Sequence, residues 1–382
     1  MSMDRHAPTP LRVWKIDVGQ AAPSAVADAI AGQHISQGPV TEELESRLAA
    51  LLDIPHVVCT TSGTQALLMS YLAAGVGPGT EVIIPDRTWV ATANAALLLG
   101  ARVVVADVRA NTPLLDPDVL SELVTPATRV IVPVHLNGRQ AYIDDVLSIA
   151  DKHGITVVED ACQALMSYHN GRHLGTFGHF GCFSMGMAKL LPTGQGGFVV
   201  CRSESHATAL RQIRNQGLSG SSLVERHGRL GGNFKFTDVQ AALALAQLNL
   251  LEGRCERQKW ILSTYRDGLA DVRALEWIEV DMANGAVPLR PEFLCSARDQ
   301  FVADMAQEGI EVMANSPNLS EYGHIGCPAP LPNAKVFTQH MVTLPGGPDQ
   351  SQDDILGVVR TIRRVAGNYP MLRDTLRRTN NF

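Results

Sequence analysis

The stretch FSMGMAKLLPTGQGG, residues 183–197, carries a single charge, on Lys189. No acid occurs between Asp160 and Glu204, and no other Lys or Arg between Arg172 and Arg202. Lysine is ordinarily a surface residue. Apolar neighbours, however, disfavour the ammonium form and lower the amine's pKa. A neutral amine is a nucleophile that condenses with an aldehyde. Ser184 precedes Lys189, and TGQGG follows it at 193–197, where glycines permit close approach of backbone to a ligand.

Three other stretches suit the same kind of ligand. In TTSGTQALLMSYLAAG, residues 60–75, a strand ends, Ser62-Gly63-Thr64 turns and an apolar helix begins. Helix N-termini offer unpaired N–H groups and a positive dipole end, so this turn can cradle a phosphate. It can equally be a plain N-cap. In PDRTWVATANAALLLG, residues 85–100, Trp89 stands between a strand and a helix, where it can stack on a planar ring or simply fill the core. In ITVVEDACQA, residues 155–164, Glu159 and Asp160 end a β-branched run and Gln163 follows. A carboxylate there can cap the next helix or keep a ring nitrogen protonated. Neither G-x-x-x-x-G-K-[ST] nor a strand followed by G-x-G-x-x-G occurs, so a Walker loop and a dinucleotide fingerprint are unsupported.

The elements that must position these residues alternate. Strands are expected at His56–Thr60, 81–84, Arg102–Ala106, 129–134, 155–159, Phe180–Ser184 and Gly197–Cys201. Helical patterns fall between them at 64–74, 90–99, Pro117–Leu123 and 143–152. This is the signature of βαβ units: an α/β fold with a mainly parallel, seven-stranded mixed sheet covered by helices. Only twelve residues separate Phe180–Ser184 from Gly197–Cys201, short for a crossover helix, so one of the two should run antiparallel. Asp238 is placed to cap one long helix through VQAALALAQLNLLEGRCERQKWILSTYRDGL. That helix leads from a large domain with an N-terminal arm, residues 1–250, to a smaller α/β domain, 251–382. The first ten residues are expected to be loose.

Composition narrows the class. The 382 residues are 45% hydrophobic and 18% charged, ordinary for a globular protein of two domains. A net charge of −6 argues against a general nucleic-acid or anionic-membrane surface. Seven cysteines, none within a C-x-x-C, suggest reduced thiols in a cytoplasmic protein with no metal centre. Neither a signal region nor a membrane span is expected.

Phosphate turn, ring-facing aromatic, strand-end aspartate and isolated lysine together suit pyridoxal 5′-phosphate. In this order the motifs SGTQAL, GVGPGTEVIIPDRTWVATANA, VIVPVHLNGR, VVEDACQA, GTFGHFGCFS and KLLPTGQGG resemble the DegT/DnrJ-type aminotransferases, fold type I enzymes of sugar and cyclitol amination. The resemblance runs from about residue 31 to 248 and weakly beyond. It implies a Schiff base at Lys189, Asp160 on the pyridinium nitrogen, Gln163 on the ring's phenolic oxygen and Trp89 stacked on the ring. It implies phosphate contacts from Gly63, Thr64 and Ser184. GGNFKF resembles a segment through which Asn233 would reach the cofactor phosphate of a second subunit, hence a homodimer with shared sites.

The activity so implied moves an amino group from glutamate or glutamine to a keto sugar or cyclitol ketone, with pyridoxamine phosphate between the half-reactions. Such chemistry belongs to surface-sugar or antibiotic biosynthesis. Three residues depart from the family pattern: Lys235 stands where an Arg is usual, Gln195 where a Glu is, and Asn137 where an aromatic is common. The pyridoxamine-dependent sugar dehydratases resemble the chain too, but carry His in place of the Schiff-base lysine. A non-catalytic binding or regulatory protein on the same fold is the alternative of another class.

Overall fold

The computed structural model describes residues 10–219, 227–314, 316–327, 330–367 and 369–379. The loose stretch expected over the first ten residues lies, but for Pro10, outside them. In chain order come α1 (Ala21–Ala31), α2 (Pro39–Leu52), β1 (His56–Thr60), α3 (Gly63–Ala73), β2 (Glu81–Pro85), α4 (Ala91–Leu97) and β3 (Arg102–Ala106). Then follow α5 (Pro117–Leu123), β4 (Thr128–Ile131), α6 (Ile143–His153) and β5 (Thr156–Asp160). A short hairpin, β6 (Tyr168–His169) with β7 (Arg172–His173), precedes β8 (Phe180–Ser184), β9 (Gly197–Cys201), α7 (Glu204–Arg214), α8 (Asp238–Leu245) and α9 (Leu251–Gly268).

The first sheet has the order β1-β9-β8-β5-β4-β2-β3. Strands β3, β2, β4, β5 and β8 are mutually parallel, and β9 pairs antiparallel with both β8 and β1. The expected α/β fold with a seven-stranded mixed sheet is therefore present, and β9 is the reversed strand. Side-chain alternation sends Val58, Val158, Cys182 and Val199 to one face, against α3 and α7. Val57, Cys59, Phe183, Phe198 and Val200 face the other core, which α2 and α8 help to close. Burial on both faces is why these strands read as unbroken β-branched runs.

A second sheet, of order β10-β11-β13-β12, follows α9. Its elements are β10 (Leu275–Trp277), β11 (Glu292–Cys295), α10 (Arg298–Gln307), β12 (Met313–Ala314), α11 (Pro332–His340), β13 (Met341–Thr343), α12 (Gln352–Ala366) and α13 (Leu372–Thr379). They enclose a core around Phe293, Phe301, Val342 and Ile355.

Two expectations need correction. The α8 cap is Thr237, whose side chain accepts from Gln240 N, and Asp238 is the first helical residue. The Asp238 carboxylate instead accepts from the N–H groups of Gly38 (2.8 Å), Val40 (3.2 Å) and Thr41 (2.9 Å), fastening the start of α2. Second, the long helix is broken: a 3₁₀ turn at Leu248–Leu250 separates α8 from α9. The break turns Gln247 inward, where Nε2 donates to Pro192 O and Leu243 O and Oε1 accepts from Arg254.

Candidate active site

Parallel strands direct their C-terminal ends to one rim, the usual place for a ligand in such sheets. Asp160 ends β5, Ser184 ends β8, and the Ser62 turn leaves β1 for α3. Ser62 caps α3, its Oγ accepting from Gln65 N at 3.2 Å. The N–H groups of Gly63 and Thr64 precede the first intrahelical bond, Ala66 N to Ser62 O. A Cβ on Gly63 would stand 2.8 Å from Cys162 Sγ and 2.9 Å from Ser184 Cβ. Glycine is thus required by space, and Gly63, Cys162 and Ser184 share one corner. Gly197 meets the same turn from below, where a Cβ would come within 2.5 Å of Ser62 C. The glycine-rich loop lets backbone pass under backbone.

Lys189 lies in the loop between β8 and β9. Met185 N donates to Gly196 O and Thr193 N to Met185 O, so the loop is closed by its own backbone. No hydrogen bond or ion pair reaches Lys189 Nζ among the described residues. Some of its side-chain surface remains accessible, but protein is packed densely around the amine. Burial lowers its pKa to about 8; Cys162 and Asp160 oppose that shift and Arg290 adds to it. These effects place Lys189, Cys162, Asp160 and Arg290 in one electrostatic neighbourhood.

Asp160 is buried and only half satisfied. Its Oδ2 accepts from Thr92 Oγ1 at 2.8 Å and its Oδ1 from Cys162 N at 3.1 Å. Thr92 N in turn donates to Trp89 O, so Trp89 is tied to the aspartate through one residue. Trp89 is 60% exposed, which removes the core-aromatic reading and leaves a ring face open. Gln163 Oε1 accepts from Asn137 N at 3.1 Å, and its Nε2 has no acceptor among the described residues. Glu159 takes no part in the site. It is fully buried beneath the β5 rim, accepting from the N–H groups of Gly175, Phe177 and Gly178 beside His135.

These groups fit pyridoxal phosphate: an unpaired amine, a carboxylate with spare acceptor capacity, an open aromatic face and a crowded helix N-terminus. Residues 17–363 match the family described as DegT/DnrJ/EryC1/StrS aminotransferase. The chain belongs to the DegT/DnrJ/EryC1/StrS aminotransferase family. As a member of that family it is a pyridoxal-phosphate-dependent aminotransferase of fold type I. It is 30% identical over 373 residues to the spore coat polysaccharide biosynthesis protein SpsC of Bacillus subtilis (strain 168), covering 91% of this chain and 95% of that one. The aminotransferase TlmJ from Streptoalloteichus hindustanus superposes with a TM-score of 0.91 at 26% identity, over 94% of this chain and 100% of that one. DesV of S. venezuelae, solved in complex with a ketimine intermediate, gives 0.88 at 28% identity over 94% and 100%.

Within this aminotransferase, no hydrogen bond joins Asn233 to Lys189, Asp160, Gln163 or Ser184 among the described residues. Asn233 is exposed, its backbone bridges to Asn215, and its side chain makes no hydrogen bond among the described residues. Lys235 pairs by backbone with Thr60 and donates to Asn215 Oδ1 at 3.3 Å. Gln195 uses its carbonyl, which accepts from Gln240 Nε2 and Thr193 Oγ1, while its side chain is exposed.

Sequence reasoning passed over Thr92, Cys162 and Arg290. Thr92 had a usable signal, one helical turn beyond Trp89 on the same face. A lone arginine in PLRP offers none. Among the described residues no His, Cys, Asp and Glu cluster has metal-ligand placement, and no helix is long and apolar enough to cross a membrane.

Proposed function

We propose that this aminotransferase moves the amino group of glutamate or glutamine to a ketone on a sugar or cyclitol. The observation that carries the reading is the buried Lys189 amine, unpaired, beside a half-satisfied Asp160. Support for a sugar acceptor comes from the polysaccharide-biosynthesis relative and from the sugar aminotransferase CalS13 of Micromonospora echinospora, at 25% identity and a TM-score of 0.88.

When bound, pyridoxal phosphate supplies an aldehyde that takes up the amino group and a ring that accepts electron density. The residues do the rest. Lys189 Nζ would hold the cofactor at rest and, as a free amine, would move a proton to and from the donor's Cα. An amine lowered to about 8 has both its neutral and its protonated form available near that pH, which suits both tasks. Asp160 keeps a proton on the ring nitrogen with the acceptor capacity that Thr92 and Cys162 leave over. Trp89 would cover one ring face, and Gln163 Nε2 would donate to the phenolic oxygen. Gly63 and Thr64 N–H groups and Ser184 Oγ bind the phosphate.

The same proposal includes a homodimer in which Asn233 serves the partner's phosphate. Its exposure, and that of Trp89, Met187 and Leu230, supports this. It divides the chain into units 1–250 and 251–382, in keeping with the change of sheet after α9. It places the reaction in the cytoplasm, where cysteines that form no disulfide are at home.

Purified protein loaded with pyridoxal phosphate should be coloured, and glutamate should bleach it. A panel of nucleotide-linked keto sugars and free cyclitol ketones should then restore the colour. Turnover of α-keto acids alone sinks the sugar reading, and a colourless protein unaffected by Lys189→Ala sinks the rest.

A further inference from the structure

Beside the reacting pair sits a cation distinguished by what it lacks. Arg290 lies in the approach to β11, largely enclosed by protein. Its Nε is buried without a hydrogen-bond partner, and no carboxylate comes within 4.0 Å of its guanidinium among the described residues. The backbone around it is, by contrast, clamped. Asn137 Oδ1 accepts from Leu289 N (2.8 Å) and Arg290 N (2.6 Å), and Asn137 Nδ2 donates to Arg290 O (2.8 Å). Asn137 itself holds a left-handed conformation, φ 56°, with its own N–H on Gln163. Asparagine tolerates that conformation and supplies both the acceptor and the donor that the Leu289–Arg290 backbone uses.

The anion whose charge reaches Arg290 is Glu292, and one of its oxygens is already engaged. Glu292 Oε2 accepts from Arg139 Nη1 at 2.7 Å and from Asn137 Nδ2 at 2.9 Å. The neighbouring guanidiniums are held through their terminal nitrogens, although Arg87 Nε, like that of Arg290, has no partner among the described residues. Arg139 also donates to Glu279 O and Ile278 O, and Arg87 Nη1 to Ser316 O and Asn318 Oδ1. A guanidinium with a buried, unpartnered nitrogen is costly in the free protein, and a carboxylate is the group whose geometry it matches.

Chemistry fixes where such a carboxylate must lie. In an α-amino acid the amine and the carboxylate share one carbon, the carbon whose proton Lys189 moves. An anchor for that carboxylate has to stand in the same site, and Asn137 ties Arg290 to it: its N–H donates to Gln163 Oε1 while its side chain holds the Leu289–Arg290 backbone. We propose that the Arg290 guanidinium receives the carboxylate of the amino donor, the group common to glutamate and glutamine, and that Asn137 holds the arginine in position for it. The proposal rests on Lys189 as the reacting amine.

The test uses holoenzyme and two matched reagents that attack bound pyridoxal phosphate without turnover: aminooxyacetate, which carries a carboxylate, and O-methylhydroxylamine, which does not. Arg290→Gln should slow the colour change with aminooxyacetate roughly 100-fold at subsaturating reagent, the loss of a charged hydrogen-bonding partner. O-Methylhydroxylamine should react at its wild-type rate. Arg290→Lys, which keeps charge without the fork, should lose roughly 10-fold and serves where the Gln variant folds poorly. Equal rates for both reagents in wild type and variants overturn the proposal. So does a defect confined to the second half-reaction, which assigns the arginine to an acidic group on the acceptor. A wild-type protein that never colours defeats the reading of Lys189 instead.

Discussion

Glu159 and Asp160 are neighbours on β5, one a scaffold and the other poised for a ligand. Glu159 accepts from Phe177 N (2.7 Å), Gly178 N (2.6 Å) and Gly175 N (2.8 Å), with His135 Nε2 at 2.8 Å. A carboxylate has about four lone-pair sites, so nothing is left over. Asp160, on the opposite face by strand alternation, uses two. The same contrast separates Arg139, whose donors are filled, from Arg290, whose are not. Buried charge with every partner in place shapes the chain; buried charge with partners missing waits for a ligand.

Substitutions on the unsatisfied side should cost chemistry and spare the fold. Lys189→Ala should abolish transamination, a loss of roughly 10⁴-fold or more in single-turnover rate, because nucleophile and proton carrier vanish together. Asp160→Asn should lose on the order of 100- to 1000-fold in the donor half-reaction, with the melting temperature almost unmoved. If that variant instead unfolds while keeping its rate per folded molecule, the contrast between the two acids is broken.

On the satisfied side the pattern should invert. Glu159→Gln should cost about 3 kcal/mol in denaturant unfolding, since a buried anion holding several donors is replaced by a neutral amide. The rate of the molecules that remain folded should change only a few-fold.

The subtlest effect concerns Lys189 without cofactor. Its folded pKa of about 8 lies below the ordinary 10.5, so between those values the unfolded chain binds more protons. Stability of the cofactor-free protein should therefore rise with pH through that window. Below it the buried ammonium costs up to about 3 kcal/mol, discounted for its residual solvent access. Lys189→Met should be more stable than wild type at pH 7, with the gap closing toward pH 10, as thermal melts at several pH values would show.

Much of this was legible in the residues, for physical reasons. Strands buried on both faces announce themselves as β-branched runs, and the short Phe180–Gly197 connection forced a reversed strand. Lys189 was visible because isolation of a charge is a one-dimensional property. Satisfaction is not: nothing in VVED distinguishes the saturated acid from the open one, because their partners come from Gly175–Gly178 and from Thr92. Asp238 misled for the same reason, its acceptors being claimed by residues 38–41 rather than by its own helix. Arg290 was invisible because its meaning is an absence of partners across the tertiary structure.

The clamp between Asn137 and Arg290 has a consequence for the order of assembly. Its hydrogen bond spans 153 residues of chain, and that between Arg87 and Asn318 spans 231. Loop-closure entropy makes such contacts late ones, and during synthesis they cannot form until the last third of the chain is available. A nascent chain translated to residue 250 can hold the lysine, the aspartate and the phosphate turn. The proposed carboxylate seat must wait until Arg290 too has left the ribosome.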